Sequence, residues 1–168
     1  MNSEKNLPPT LPIDDLAGIY FNPAYGSVYL CSYSPKTRTA SFEAHCSSML
    51  SNFTEAWRGE PPSLVATWKK YWATHIILRH SSGDRFALKP AILFPAPFPD
   101  DTESKPFMVD HGELATSAKF IFSPVSPQGL QVDGIAIKGG WGASPLAKEL
   151  EGEDMESAEV WFDKVANL

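Results

Sequence analysis

Apolar and polar residues alternate with a period of two through much of this chain. Segment 72–80 puts Trp72, Thr74, Ile76, Leu78 and His80 on one face and Ala73, His75, Ile77 and Arg79 on the other, the pattern of a half-buried strand. The preceding part of 64–80 is ambiguous, because the length of the whole segment also suits a helix. After Ser81–Asp84 the run Arg85–Phe94 alternates again. Pairing His80 with Asp84 sets Leu78 opposite Phe86 and Ile76 opposite Leu88, which gives both strands one apolar face and predicts a hairpin. Ile19–Asn22 and Gly26–Tyr33 are rich in β-branched and aromatic residues. The turn chemistry of Asn22, Pro23 and Gly26 between them predicts a second hairpin. Further strands are expected at 117–123, 129–137 and 157–165.

Helical signals are short. Residues 13–18 suit one turn ended by Gly18, and a short helix is expected over Ser47–Leu50. Ser144 and Pro145 resemble a helix start; a helix continuing from there to Val165 is the rival to the last strand. Residues 95–113 read as a long irregular loop. Seven or eight short strands separated by turns, without internal repeats, predict an all-β antiparallel barrel or sandwich. Residues 1–12 form a flexible tail and 13–168 the single domain.

Composition narrows the function. Hydrophobic residues make up 43% of the 168 positions and charged residues 20%, enough apolar material for a core. Fourteen basic residues against twenty acidic ones give a net charge of -6, and no Lys/Arg cluster offers nucleic acid an electrostatic footprint. No stretch nears the roughly 18 apolar residues of a membrane helix. The N-terminus lacks the basic start and apolar run of an export signal, so a cytoplasmic protein is expected. Cys31 and Cys46 are accordingly expected as free thiols, although oxidation would close a short loop between them.

The opening Leu11-Pro12, Ala17-Gly18-x-Tyr20, Asn22-Pro23-x-Tyr25-Gly26, followed by an alternating strand, resembles the lipocalin-like C-terminal domain of serine β-lactamase and penicillin-binding-protein-related hydrolases, its fungal branch above all. Segments 72–89 and 158–165 are similar to the same domains, so the resemblance covers roughly Leu11 to Val165. It implies a lipocalin-like (calycin) antiparallel barrel of about eight strands with short helical turns. It supplies no catalytic site, because the serine chemistry of those proteins sits in a separate domain with a Ser-x-x-Lys motif. This chain lacks that motif: at Thr102–Lys105, threonine stands where the nucleophilic serine is needed.

Other chemistries find little support. No Gly-x-Ser-x-Gly occurs, and neighbouring His45 and Cys46 would point to opposite faces of a strand. His75 and His80 likewise fall on opposite strand faces, wrong for one zinc, so no metal is expected. The glycines at 139, 140 and 142 lack the strand–loop–helix setting of a phosphate cradle, and no cofactor is expected.

The expected function is binding of a small hydrophobic molecule inside the barrel, by Tyr20, Trp68, Trp72, Thr74, Leu78, Phe86 and Phe120. An enzymatic form would be a cofactor-independent cyclase, isomerase or dehydratase on a polyketide- or terpenoid-like secondary metabolite. Its acid–base candidates are His80, then His75, then Asp133. Alternation favours His80 as the inward histidine. The alternative is a non-catalytic accessory or oligomerisation module that docks on a β-lactamase-like partner chain, with Trp141 and Trp161 as interface anchors; a homo-oligomer is the other partner considered.

Overall fold

A computed structural model describes residues 7–33, 39–70, 73–95, 104–110, 116–125, 127, 129–139 and 158–165. Nine strands are arranged in one antiparallel sheet: β1 (Gly18–Asn22), β2 (Gly26–Cys31), β3 (Leu64–Lys70), β4 (Ala73–Ser82), β5 (Arg85–Phe94), β6 (Phe107–Asp110), β7 (Ser117–Val125), β8 (Gly129–Lys138) and β9 (Val160–Lys164). Pairing runs β4-β3-β2-β1-β9-β8-β7-β5, and β4 also pairs with β5. That contact closes an eight-stranded ring. The fold is the expected all-β, lipocalin-like barrel. Among the described residues β6 pairs with β5 alone, beside the part of β5 that β7 does not reach.

Alternation along the strands separates two apolar layers. Val28, Leu30, Leu64, Ala66, Trp68, Ile76, Leu78, Phe86 and Leu88 point into the barrel. Cys31, Val65, Ile77 and Ala91 point outward and are covered by the helix α2 (Ala40–Ala56). The helix buries Phe42, Cys46, Met49, Phe53 and Ala56, one stripe at helical spacing. It is much longer than the short helix expected over Ser47–Leu50. A disulfide joins Cys46 of α2 to Cys31 of β2, with the Cα atoms 5.5 Å apart. The expectation of free thiols is corrected by this bond: strand and helix bring the two cysteines face to face.

Three further expectations change. Segment 64–80 is two strands, β3 and the start of β4, and not one element. The β4–β5 register is shifted by two residues, so that His80 faces Phe86 and Leu78 faces Leu88. The turn is tighter than expected: Ser82 pairs with Arg85, and Gly83 holds the left-handed backbone at φ +57°. A shift of two preserves which face is apolar. Finally, 95–113 contains the strand β6. The helix start at Ser144 lies outside the described residues, while β9 occupies the C-terminal strand position.

The ring has two ends. The upper end carries the Asn22–Gly26 turn, the β3/β4 junction and the start of β6. The lower end carries the Gly83–Asp84 turn and the short helix α1 (Ile13–Leu16). Residues 7–17 lie across the lower end. Gly83 N–H donates to the Leu7 carbonyl at 2.8 Å, Asp84 accepts from Thr10, and Leu11, Ile13 and Leu16 pack onto the core. Residues 7–12, read from sequence as tail, are tied down by these contacts.

Candidate functional site

The candidate residues are distributed over both ends and both faces. At the lower end, the His80 ring lies edge-on to Phe86 at 5.3 Å, Phe86 to Phe120 at 5.2 Å, and Phe120 to Tyr20 at 6.1 Å. Tyr20 is fully buried and its hydroxyl donates to the Leu16 carbonyl. His80 is half-buried, and its Nε2 sits 2.9 Å from the Gly83 carbonyl beneath the 7–17 segment. Leu78 is buried further up the barrel, opposite both Leu64 and Leu88.

His75 is on the outer face, as alternation requires, 5% exposed and 6.2 Å from the ring of Phe53 on α2. Burial lowers its pKa to about 4, because an apolar layer disfavours the imidazolium. Thr74 Oγ1 lies 2.8 Å from His75 Nδ1. The Thr74 hydroxyl donates to the Ala91 carbonyl at 3.3 Å. Thr74 Oγ1 also receives the Leu93 N–H at 2.7 Å, so this side chain splices β4 to β5. Asp133 is the extra residue of a bulge in β8, between the pairs Ile121–Gly134 and Phe122–Val132. The bulge turns it outward, where its carboxylate accepts from Ser123 Oγ at 2.7 Å. Trp161 is half-buried across Gly134, and its indole N–H donates to Asp163 at 2.8 Å. Trp72 and Trp141 lie outside the described residues.

Upper-end geometry centres on Trp68. Its ring meets Tyr25 edge-on at 5.7 Å and Phe162 at 6.1 Å, forming an aromatic floor. Beyond it, β5 and β6 extend the inner wall. Ile92 pairs with Val109 and Phe94 with Phe107. These four share the side of Phe86 and Leu88 by strict alternation, whereas Met108 on the other side packs against the helix layer. Phe94 and Phe107 stack at 4.9 Å, yet they are 41% and 49% exposed, and Val109 is 49% exposed. Lys70 ends β3 at the same rim, with Nζ 5.5 Å from the Tyr25 ring centroid.

Sequence reasoning did not single out Tyr25, Lys70, Phe94, Phe107 or Val109 as site residues. Phe94 was legible as the continuation of the Phe86–Leu88–Ile92 alternation. Phe107 and Val109 were hidden in a proline-rich stretch without a strand signal of its own. Comparison with protein-family models, with curated proteins and with solved structures finds no match.

Proposed function

We propose that the barrel binds a small hydrophobic molecule at its upper end. The observation that carries this reading is the inner wall of β5–β6, where Phe94, Phe107 and Val109 leave apolar surface in water above the aromatic floor. A contiguous apolar surface of this kind marks a recognition site, and covering it releases roughly 25 cal/mol per Å². Trp68 and Thr74 border that site, with Leu78 below it; Tyr20, Phe86 and Phe120 support it from the lower core.

In this reading the protein is a binder first. A cyclase or isomerase of polyketide- or terpenoid-like compounds is its enzymatic form, and it would act by confining a reactive conformer without a cofactor. His80, His75 and Asp133 lie away from the upper wall, which favours binding over acid–base chemistry by these groups. The resemblance to accessory domains of β-lactamase-related hydrolases supports the same non-catalytic emphasis. Among the described residues no helix is long and apolar enough to cross a membrane. The Cys31–Cys46 bond supports an oxidising compartment and weighs against the cytoplasm.

Titration with Nile red, a neutral apolar fluorophore, tests the proposal. We expect saturable binding to one site, displaced by 1-decanol. Replacing Phe94 and Phe107 by serine should weaken it by about fivefold or more. Unsaturable binding, or binding indifferent to both substitutions, would overturn the reading.

A further inference from the structure

Helix α2 carries a motif that the upper-end site does not use. Asn52-Phe53-Thr54 is the one Asn-x-Ser/Thr triplet in the sequence, and its middle residue is not proline. That is the acceptor sequence for an N-linked oligosaccharide. So short a triplet recurs by chance, and its place in the fold decides. Phe53 is fully buried and packs beside His75 under the helix. Asn52 and Thr54 on either side of it are exposed, because a helix turns by about 100° per residue. On the helix surface Asn52 has Ser48 one turn before it and Glu55 one turn after it, both exposed, as are Ala44, Ser47 and Ser51. The side chains around Asn52 are therefore mostly short and leave room above it. The helix contains no lysine or arginine, so its outward face has little charge to hydrate it, and a bulky polar modification would supply that hydration.

A second observation on the same helix points the same way. Cys46 of α2 is bonded to Cys31, and disulfides persist in the lumenal and extracellular compartments through which N-glycosylated chains pass. We infer that Asn52 is an N-glycosylation site. This rests on the oxidising compartment proposed above. The donor is an oligosaccharide linked to a lipid pyrophosphate. The Asn52 side-chain nitrogen forms a bond to C1 of the first sugar, the bond from C1 to the pyrophosphate oxygen breaks, the amide gives up one proton, and the lipid pyrophosphate leaves. Transfer to the nascent chain precedes docking of α2, so the helical setting of Asn52 in the finished fold is no obstacle. Once docked, α2 holds the sugar in water on the outer side of the barrel, away from the inner wall at Phe94 and Phe107.

The test uses the full chain purified from its own host. Peptide N-glycosidase should remove one discrete step of mass and convert Asn52 to aspartate, read by peptide mass spectrometry. Asn52→Gln should lack that step, and Thr54→Ser, which keeps the hydroxyl, should retain it. Both positions are exposed, so the variants fold as the parent does. Alkylation of the same sample reads the compartment. Protected thiols with an unmodified Asn52 overturn the inference and leave the compartment reading in place. Thiols that alkylate, with Asn52 unmodified, remove both. A mass step that survives in Asn52→Gln also overturns the inference, because the sugar is then attached elsewhere.

Discussion

Thr10 holds Asp84 at two points: its amide N–H donates to Oδ1 and its hydroxyl to Oδ2, both at 2.7 Å, across 74 residues of sequence. This clamp fixes the 7–17 segment over the lower end. Asp84→Ala should cost about 1 kcal/mol, the range of an exposed charged hydrogen bond. Amide exchange at Thr10 and Gly83 should accelerate by about tenfold while the β3–β4 amides keep their protection. Unchanged exchange at both would show that the clamp does not hold the segment.

His75 makes stability depend on pH. Its folded pKa of about 4 lies below the ordinary histidine value of 6.5, so the native state favours the neutral ring. Stability from this group is complete above pH 6.5, declines as pH falls from there toward 4, and levels off below. The loss is on the order of 3 kcal/mol. Urea titrations of wild type and His75→Gln between pH 7 and 4 should show a shallower decline in the variant.

The disulfide closes a loop of sequence separation 15, worth about 3 kcal/mol in the chain-entropy description. Thermal unfolding with and without dithiothreitol should differ by roughly 10 °C. Alkylation of the untreated native protein should leave both thiols unmodified.

Gly134 admits no side chain. A Cβ there would run into the Phe162 carbonyl and the Trp161 ring. Gly134→Ala should destabilise by about 2 kcal/mol. Trp161→Ala in the same chain should not restore stability, since the carbonyl stays in place. A full rescue would locate the conflict in the indole alone.

His80→Ala removes the Gly83 contact and the edge-on packing on Phe86. It should cost about 1 kcal/mol and leave Nile red binding within about twofold. A larger loss of binding would move the ligand site to the lower end.

The strands whose two faces differ were legible from sequence. Ile76, Leu78, Phe86 and Leu88 alternate with Arg79, Ala87 and Lys89, and this pattern fixes the inward face even when the register is off by two. The helix over 40–56 was not legible, because Ser41, Ser47, Ser48 and Ser51 lower the helix propensity of the segment and its stability comes from docking on Val65, Ile77 and the disulfide. β6 was hidden for a similar reason: four residues have little propensity signal, and pairing with Leu93 and Phe94 is what makes them a strand. At the candidate site, Trp68, Thr74 and Leu78 were found by alternation. Lys70 and Phe107 escaped, because the successive pairings β3–β4, β4–β5 and β5–β6 set the end of β3 and the start of β6 at one rim.

One seam of the ring joins β1 to β9, far apart in sequence: Tyr20 pairs with Lys164, Phe21 with Asp163, and the Val165 amide donates to the Ile19 carbonyl. During synthesis β1 therefore waits, one edge unpaired, until residue 165 has left the ribosome. Contacts this distant in sequence make folding slow, and an open apolar edge in the meantime is a template for aggregation. Chains cut short before Val160 lose β9 and keep the edges of β1 and β8 bare, so premature termination yields an insoluble product instead of a smaller barrel.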